Sequence, residues 1–179
     1  LPEDESKWDA MHIFFATAKG NVRRNDLSDF HEIRASGKIA IRMDEGDKLV
    51  SVKVCGENDH VLLAAKGGKC IRFPVNDVRV FKSRTSDGVR GMKLAGNDEV
   101  VSMTILKGID CTAEERQAYV KRASAARRVD DSTETLVKGE GEEVTTEITL
   151  TDERFAEMQA AEEFILTVTE NGYGKRSSA

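Results

Sequence analysis

An internal repeat of 48 to 51 residues constrains the fold of this chain more than any other feature. Gly20 in "FATAKGNVRRNDLSDF" lies over Gly68 in "LLAAKGGKCIRFPVNDV", an offset of 48 residues. Further along, Gly37 in "GKIAIRMDEGDKLVSV" lies over Gly88 in "GVRGMKLAGNDEVVSM", an offset of 51. The closing stretch "FILTVTENGYGKR" repeats the start of the unit once more, with Gly172 at the turn position. A unit of this size cannot bury its apolar face alone, so neighbouring copies must stack.

Each copy of the repeat contains four short stretches with strand character. In the first copy these are "HIFFATA", "NVRRNDL", "GKIAIRM" and "KLVSVKVC", and Gly20 forms the turn between the first two. Apolar and polar residues alternate in the third stretch, at Ile39 and Ile41, and in the fourth, from Val50 to Val54. This alternation predicts strands with one buried and one solvated face. Four strands in a unit of this length are typical of a blade, so we expect a mainly β, propeller-like repeat of four-stranded blades.

Charge is distributed unevenly, and its pattern divides the chain, whose net charge is −5, into four segments. Residues 11–108, the two blades, hold 17 Lys and Arg against 12 Asp and Glu, whereas residues 109–163 hold 7 against 15. An acidic lead-in, residues 1–10, precedes the blades, and residues 164–179 are predicted to form the first hairpin of a further blade. We therefore expect a basic body that is interrupted by an acidic insertion.

The insertion is predicted to be largely helical. "TAEERQAYVKRASAARR" is a helix candidate in which Thr112 and Glu115 form a capping box, and "TDERFAEMQAAEEF" is a second one with Thr151 as its N-cap. Between them, "VDDSTETLVKGEGEE" is typical of a polar loop and "VTTEITL" of a short strand. The insertion enters after the last strand of one blade and leaves at the first strand of the next, where loops tolerate additions well.

The chain lacks the residue patterns of several function classes. No apolar run approaches the ~20 residues that span a bilayer, and the first residues have no signal-peptide pattern. Cys55, Cys70 and Cys111 are far apart and form no Cys/His cluster, which argues against a zinc site and a disulfide framework. The glycines and cations of "ENGYGKRSS" lack the spacing of a phosphate-binding loop. We therefore expect a cytoplasmic protein with no catalytic residues, metal ligands or cofactor within this chain.

Lysines and arginines that recur at the repeat spacing are the strongest functional signal. Cations repeated at blade spacing would form a belt around a disc, which suits a nucleic acid bound through its phosphates. The alternative is a solvated strand face with salt bridges inside each blade, which serves solubility. Aromatic residues make up only 6% of the chain, so base stacking on single strands is not expected and duplex DNA is favoured. The candidates from the pattern are Arg23, Arg24, Lys38, Arg42, Lys69, Arg72, Arg90 and Lys93, with Arg79, Lys82 and Arg84 in the loop "RVFKSRTSDGVRGMK".

Five segments of the repeats resemble a known family. "FFATAKGNVRRNDLSDF", "IRASGKIAIRM", "SDGVRGMKL", "DEVVSMTIL" and "ILTVTENGYGKR" closely resemble successive blades of the C-terminal domain of the DNA gyrase A protein. The resemblance implies a β-pinwheel, a six-bladed disc whose strands are exchanged between neighbouring blades. It also implies that a basic rim wraps double-stranded DNA, so that the ATP-driven type II topoisomerase introduces negative supercoils. By the same resemblance, Lys175 and Arg176 join the rim cations.

The resemblance further implies partners and cofactors. Two gyrase A proteins, of which this chain would be part of one, and two gyrase B proteins would form an A2B2 holoenzyme in the bacterial cytoplasm, associated with the nucleoid. ATP and Mg would belong to that holoenzyme and not to this chain. The tyrosine that cleaves DNA belongs to another part of the enzyme, so neither Tyr119 nor Tyr173 is expected to be catalytic.

The chain also departs from the family pattern. The basic, glycine-rich box of the family is absent, and the chain is expected to be a piece whose disc is not closed. Residues 109–163 lie outside the blade pattern, and their anions could either repel DNA at that rim or dock on a neighbouring cationic surface. Two alternatives stay open, namely a propeller-like protein-interaction scaffold and the equivalent domain of topoisomerase IV.

Overall fold

The computed structural model describes residues 1–32, 35–37, 39–82, 86, 88–130 and 149–179. These residues form two compact units, Leu1–Gly108 and Ile109–Ala179, each with its own apolar core. Within the described ranges, no helix has both the length and the apolar character that crossing a membrane requires.

The first unit contains two antiparallel sheets, one built mainly from each copy of the repeat. The first sheet comprises β1 (His12–Thr17), β2 (Asn21–Asp26), β3 (Leu49–Cys55) and β6 (Val89–Arg90), in the order β3-β1-β2-β6. The second comprises β4 (Asp59–Ala65), β5 (Cys70–Pro74) and β7 (Val100–Lys107), in the order β5-β4-β7. Because β3 and β7 lie side by side, β6 and β5 are the strands at the opposite, outer edges of the two sheets.

The two sheets share one register, as the repeat predicts. Gly20 and Gly68 have φ angles of 84° and 86°, the left-handed conformation that the tight turns after β1 and β4 require. Phe14 pairs with Arg24 across the first hairpin, and the residues 48 positions later pair in the same way across the second. The predicted mainly β architecture of repeated blades is therefore confirmed.

Strand β6 belongs to the second copy of the repeat in sequence, yet it pairs with β2 of the first copy. Val89 pairs with Val22, and Asn21 pairs with Arg90. Gly91 permits this approach, since a Cβ at that position would lie 2.6 Å from Cγ1 of Val22. The exchange of a strand between neighbouring blades, which the resemblance implied, is thus confirmed for β6.

The third predicted strand of the first copy, residues 37–43, is not a strand. Residues 39–43 have no regular secondary structure, and Ile39 is 75% exposed, while Lys38 lies outside the described residues. The equivalent stretch of the second copy is β6, which takes its ladder hydrogen bonds from β2 of the preceding copy. In the described part of the unit no strand pairs with residues 39–43, and an extended segment without such a partner forms no ladder.

Strand β1 is buried on both faces and is the centre of the first unit. On one side it packs against the 3-10 helix Glu5–Ala10 of the lead-in, whose buried Trp8 stacks on His31 with 4.8 Å between ring centroids. The acidic lead-in is therefore a packed part of this unit. On the other side β1 joins a core shared by both sheets, which includes Phe14, Ala16, Val22, Val61, Leu63 and Met103.

The second unit contains two helices and a hairpin. These are α1 (Ala113–Asp130), α2 (Asp152–Ala160), β8 (Phe164–Val168) and β9 (Gly174–Ser178). A buried cluster of Tyr119, Ala123, Leu150 and Met158 packs α1 against α2. Gly172, with φ of 82°, forms the predicted turn of the hairpin.

The predicted helix starts in the insertion are confirmed. The backbone N–H of Glu115 donates to Thr112 Oγ1 at 3.1 Å, and the N–H of Thr112 donates to the Glu115 carboxylate at 2.9 Å, which is a reciprocal capping box. Thr151 caps α2 by accepting a hydrogen bond from the N–H of Arg154 at 3.2 Å. The predicted polar loop and short strand fall almost wholly on residues 131–148, which lie outside the described residues.

Candidate nucleic-acid interface

Arg23, a predicted rim cation, is wholly buried in the structure, with 0% of its surface exposed. Its Nε donates a hydrogen bond to Asn25 Oδ1 at 2.8 Å, and Nη1 donates to the carbonyl of Ser86. Its guanidinium also lies over the ring of Phe81, with 5.3 Å between Cζ and the ring centroid. The predicted position of Arg23 on an exposed rim is therefore wrong, because the second copy of the repeat covers this part of β2.

Arg24 is covered by the same part of the second copy and is only 6% exposed. Its Nη1 donates to Asn76 Oδ1 at 2.6 Å, and its carbonyl accepts from the N–H of Phe81 at 2.8 Å. The prediction of an exposed rim position is wrong for Arg24 as well. Asn25 completes the contact, since its Nδ2 donates to the carbonyl of Phe81 at 2.5 Å. One copy is therefore bound to the next by three residues of β2, namely Arg23, Arg24 and Asn25.

Cations do lie at the outer edges of both sheets. Arg90 on β6 and Lys93 just after it are exposed at the edge of the first sheet, and Lys69 is exposed just before β5 at the edge of the second. Within the described ranges, no carboxylate forms a salt bridge with any of these three side chains. We call Lys69, Arg90 and Lys93 the edge cations. They are charges at equivalent edges of successive blades that are available to a bound polyanion.

Arg72 lies on β5 itself and is held more firmly than the edge cations. Its side chain is half-buried, and Nε donates to His60 Nδ1 at 3.0 Å while Nη2 reaches the carbonyl of Lys107 at 3.4 Å. These bonds fix the guanidinium against its own sheet. Arg72 can therefore offer only part of its donor set to a phosphate.

The loop cations that follow β5 already have partners. Lys82 forms an ion pair of 2.5 Å with Asp26, and this hydrogen bond raises the pKa of Lys82 above its ordinary value. The guanidinium of Arg79 lies over the ring of Phe81, with 4.1 Å between Cζ and the ring centroid. Both side chains are exposed, so they remain accessible to solvent, but part of their charge is already neutralised or directed at a neighbour.

The remaining predicted cations are dispersed. Arg42 is exposed within the irregular stretch of the first copy, residues 39–43, whereas Lys38 and Arg84 lie outside the described residues. Lys66, which the repeat comparison did not single out, is exposed in the same turn as Lys69. The available signal for Lys66 was the sequence "KGGK", which places a lysine on each side of the glycine turn.

The hairpin of the second unit carries Lys175 and Arg176 on β9, and both are exposed. The guanidinium of Arg176 lies over the ring of Phe164, with 4.6 Å between Cζ and the ring centroid. An aromatic ring beneath a guanidinium restricts its orientation and leaves its outer N–H groups free to donate. Arg176 is therefore an oriented cation rather than a freely rotating one.

The described residues present positive charge without groups arranged for acid–base chemistry. Tyr119 is buried and donates to Glu162 at 2.9 Å, and burial, together with the hydrogen bond and charge of Glu162, raises the pKa of Tyr119 to about 12. A phenol with this pKa is a weak nucleophile at neutral pH. In the part of the chain that the structure describes, no three potential metal ligands lie together. The arrangement is suited to binding an anion.

Stacked antiparallel sheets that exchange a strand and carry cations at their outer edges define a bladed, propeller-like β domain. A sequence model described as "DNA gyrase C-terminal domain, beta-propeller" matches residues 12–56, 59–107 and 163–179. The chain belongs to this family. Residues 108–162, which include α1 and α2, lie outside the matched ranges.

Individual relatives and solved structures agree with that family. The DNA gyrase A protein of Rickettsia bellii (strain RML369-C) is 57% identical over 182 residues, which cover 100% of this chain and 19% of that protein. A structure of the C-terminal domain of DNA gyrase A matches with a TM-score of 0.50 and 29% identity, over 55% of this chain and 32% of that chain. The C-terminal domain of DNA topoisomerase IV, at 22% identity, shares the fold, with a TM-score of 0.54 over 64% of this chain and 34% of that chain. The resemblance to the gyrase A protein is thus confirmed.

Proposed function

We propose that this chain is a duplex-DNA-binding, DNA-wrapping module of a type II topoisomerase of the gyrase class. The observation that carries the proposal is the placement of the edge cations Lys69, Arg90 and Lys93 at the outer edges of successive blades, without carboxylate partners among the described residues. The relatives are gyrase A proteins, which favours this class over topoisomerase IV.

The mechanism is neutralisation of phosphates along a curved edge. Lysine and arginine that replace condensed counterions bind any sequence, and binding weakens steeply as salt concentration rises. A duplex that bends around the domain can contact cations on successive blades. The free energy of these additional contacts offsets the elastic cost of bending. Exposed aromatic residues are scarce in the described ranges, so the module gains little from stacking on unpaired bases.

The wrapped DNA serves a larger enzyme. In this proposal, two complete gyrase A proteins assemble with two gyrase B proteins, and the holoenzyme uses ATP and Mg to pass one duplex through another and introduce negative supercoils. This chain supplies neither the cleavage tyrosine nor the nucleotide site; its part is to hold and present DNA. The enzyme works in the bacterial cytoplasm at the nucleoid.

The test compares two double variants at opposite edges of the same sheet. R90A/K93A removes two edge cations, whereas K48A/K53A removes two exposed lysines at and just before β3, with the same change in charge. We expect R90A/K93A to make the slope of log K against log[salt] for duplex DNA less negative by about 1.8, since each phosphate contact contributes about 0.9. We expect the slope of K48A/K53A to stay at the value of the unchanged protein.

Three outcomes would overturn the proposal. A slope near zero for the unchanged protein means that phosphates do not drive binding. Equal slopes for the two double variants mean that the outer edges of the blades are not the site. If DNA binding is absent while another protein binds the same surface, the interaction-scaffold alternative replaces the proposal.

A further inference from the structure

A buried carboxylate, Glu162, joins the helical insertion to the hairpin β8–β9. Its side chain lies in the connection between α2 and β8 and is 6% exposed. The hydroxyl of Tyr119 donates to Oε2 at 2.9 Å, and Nη2 of Arg127 lies 2.6 and 2.5 Å from the two carboxylate oxygens. Groups of α1 therefore converge on a residue that lies two positions before the hairpin.

The state of this carboxylate follows from its surroundings. Burial raises the pKa of Glu162, but hydrogen bonds with Arg127, Ser178 and Tyr119 lower it more, so the pKa lies below its ordinary value. Ser178 belongs to β9, the second strand of the hairpin. Glu162 is thus an anion at neutral pH that is held by Tyr119 and Arg127 of α1.

Phe164 is the first residue of β8. Two guanidinium groups lie over its ring, one from α1 and one from β9. Cζ of Arg127 lies 5.2 Å from the ring centroid, and Cζ of Arg176 lies 4.6 Å from it. Each cation is attracted to the ring, but two like charges on one ring repel each other. Glu162 offsets this repulsion because it binds Arg127 directly. Arg127, Phe164 and Arg176 therefore form one connected array across α1 and both strands.

We propose that the helical insertion positions Arg176 for contact with a DNA phosphate, through Phe164 and the ion pair of Arg127 with Glu162. This inference rests on the proposed function, and it concerns residues 108–162, which lie outside the ranges that the family model matches. In this way the insertion fixes the orientation of a cation on β9, the second strand of the hairpin that follows it. Arg127 and Phe164 are positioning residues, and Arg176 is the group that meets the phosphate.

Two other described carboxylates of the insertion form ion pairs within it. Asp152 forms an ion pair of 2.6 Å with Arg122 of α1, and Glu115 forms one of 3.0 Å with Arg154 of α2. These anions are neutralised inside the second unit. Both pairs lie within the insertion, so they leave open the two roles that the sequence allowed for its anions, repulsion of DNA and docking on a neighbouring cationic surface.

The substitution Glu162→Gln separates the two roles sharply. If the carboxylate repels DNA, its removal tightens DNA binding; if it holds Arg127 in place, its removal weakens binding because Arg176 loses its orientation. We expect E162Q to make the salt slope for duplex DNA less negative by about 0.9, the contribution of one phosphate contact. Unchanged or tighter binding by E162Q would overturn the proposal.

A second set of variants tests the path through the ring. We expect F164L, which removes the ring but keeps apolar bulk, to match R176A in salt slope, and the double variant to be no weaker than either alone. Phe164→Tyr keeps the ring and should retain the full slope. Additive effects of F164L and R176A would mean that the two residues act independently, which overturns the proposal.

Two controls keep the outcome interpretable. Arg122 lies on α1, like Arg127, and R122A breaks its ion pair with Asp152 of α2 without touching Phe164 or Arg176. It should therefore leave the salt slope unchanged. If R122A changes the slope as much as E162Q, the effect is general loss of helix docking and the specific path fails. If R90A/K93A flattens the slope while E162Q and F164L do not, this inference fails and the proposed function stands. If none of the variants changes the slope, the proposed function fails with it.

Discussion

Replacing Gly91 by alanine tests whether the exchanged strand β6 is held by close packing on β2. A Cβ at this position would lie 2.6 and 2.8 Å from the two γ-methyl groups of Val22, and 3.3 Å from Cδ1 of Leu63. Non-bonded carbon atoms prefer about 3.5–4.0 Å, so the wholly buried Val22 or the strand itself must shift. Overpacking of this kind costs about 1–3 kcal/mol, and we expect G91A to lower the free energy of unfolding by about 2 kcal/mol.

The companion variant Val22→Ala provides the internal check. Alone it leaves a cavity in the shared core and should cost about 2 kcal/mol. Combined with G91A it removes both methyl groups that the new Cβ would strike, so each substitution offsets part of the cost of the other. The double variant should therefore be more stable than the sum of the single costs predicts, by at least about 1 kcal/mol.

Urea denaturation followed by the fluorescence of Trp8, the single tryptophan of the chain, measures these changes. With a denaturant dependence of about 1–3 kcal/mol per molar for a domain of this size, a loss of about 2 kcal/mol shifts the midpoint by roughly 1 M. Gly56→Ala is the matched control, since its Cβ would meet nothing closer than 3.6 Å. Equal midpoints for G91A and G56A, or simple additivity of G91A and V22A, would refute the close-packing argument.

Two further predictions concern buried polar groups. Asn25→Ala removes the acceptor that Arg23 Nε uses and the donor to the carbonyl of Phe81, so we expect the free energy of unfolding to fall by about 2–4 kcal/mol. Asn25→Asp, which keeps the acceptor, should fall by less in urea denaturation, and equal losses would contradict this role. The second prediction concerns the stability of the packing of α1 against α2. This stability should be constant between pH 4.5, the ordinary pKa of glutamate, and pH 10, the ordinary pKa of tyrosine. It should weaken as pH falls through the lowered pKa of Glu162, and also as pH rises from 10 towards the raised pKa of Tyr119, about 12. Thermal unfolding followed by helical circular dichroism measures both limbs, and an acid limb as large in E162Q as in the unchanged protein would contradict this assignment.

Features that depend on neighbours in sequence could be predicted. The capping box of Thr112 and Glu115 needs only a spacing of three residues, and the turns at Gly20 and Gly68 need only a residue that accepts a positive φ. The common register of the two hairpins follows from their constant offset. These features are local, so the sequence pattern contains all the information that they require.

Features that depend on strand exchange could not be predicted from spacing. The alternation of Ile39 and Ile41 satisfies the pattern of a half-buried strand, but a strand also needs a neighbour, and that neighbour belongs to another copy. The burial of Arg23 has the same origin, since Phe81 and Ser86 cover it from more than 50 residues along the chain. Nothing in the residues near Arg23, apart from Asn25 two positions on, indicates that a guanidinium there has internal partners.

The equivalent arginines Arg24 and Arg72 show why the repeat alone misplaces the interface. Arg24 lies on a strand that the next copy covers, so it bonds to Asn76 of that copy and is almost wholly buried. Arg72 lies on the strand at the edge of its sheet, so it bonds within its own copy and stays half-buried. The environment of this position is therefore a property of the neighbouring blade and not of the residue. A covered arginine clamps two copies together, whereas a cation on the outermost strand can meet a phosphate. It follows that DNA contacts in such a repeat should be assigned by counting from the outermost strand of each sheet, as for the edge cation Arg90 on β6, and not by aligning positions along the sequence.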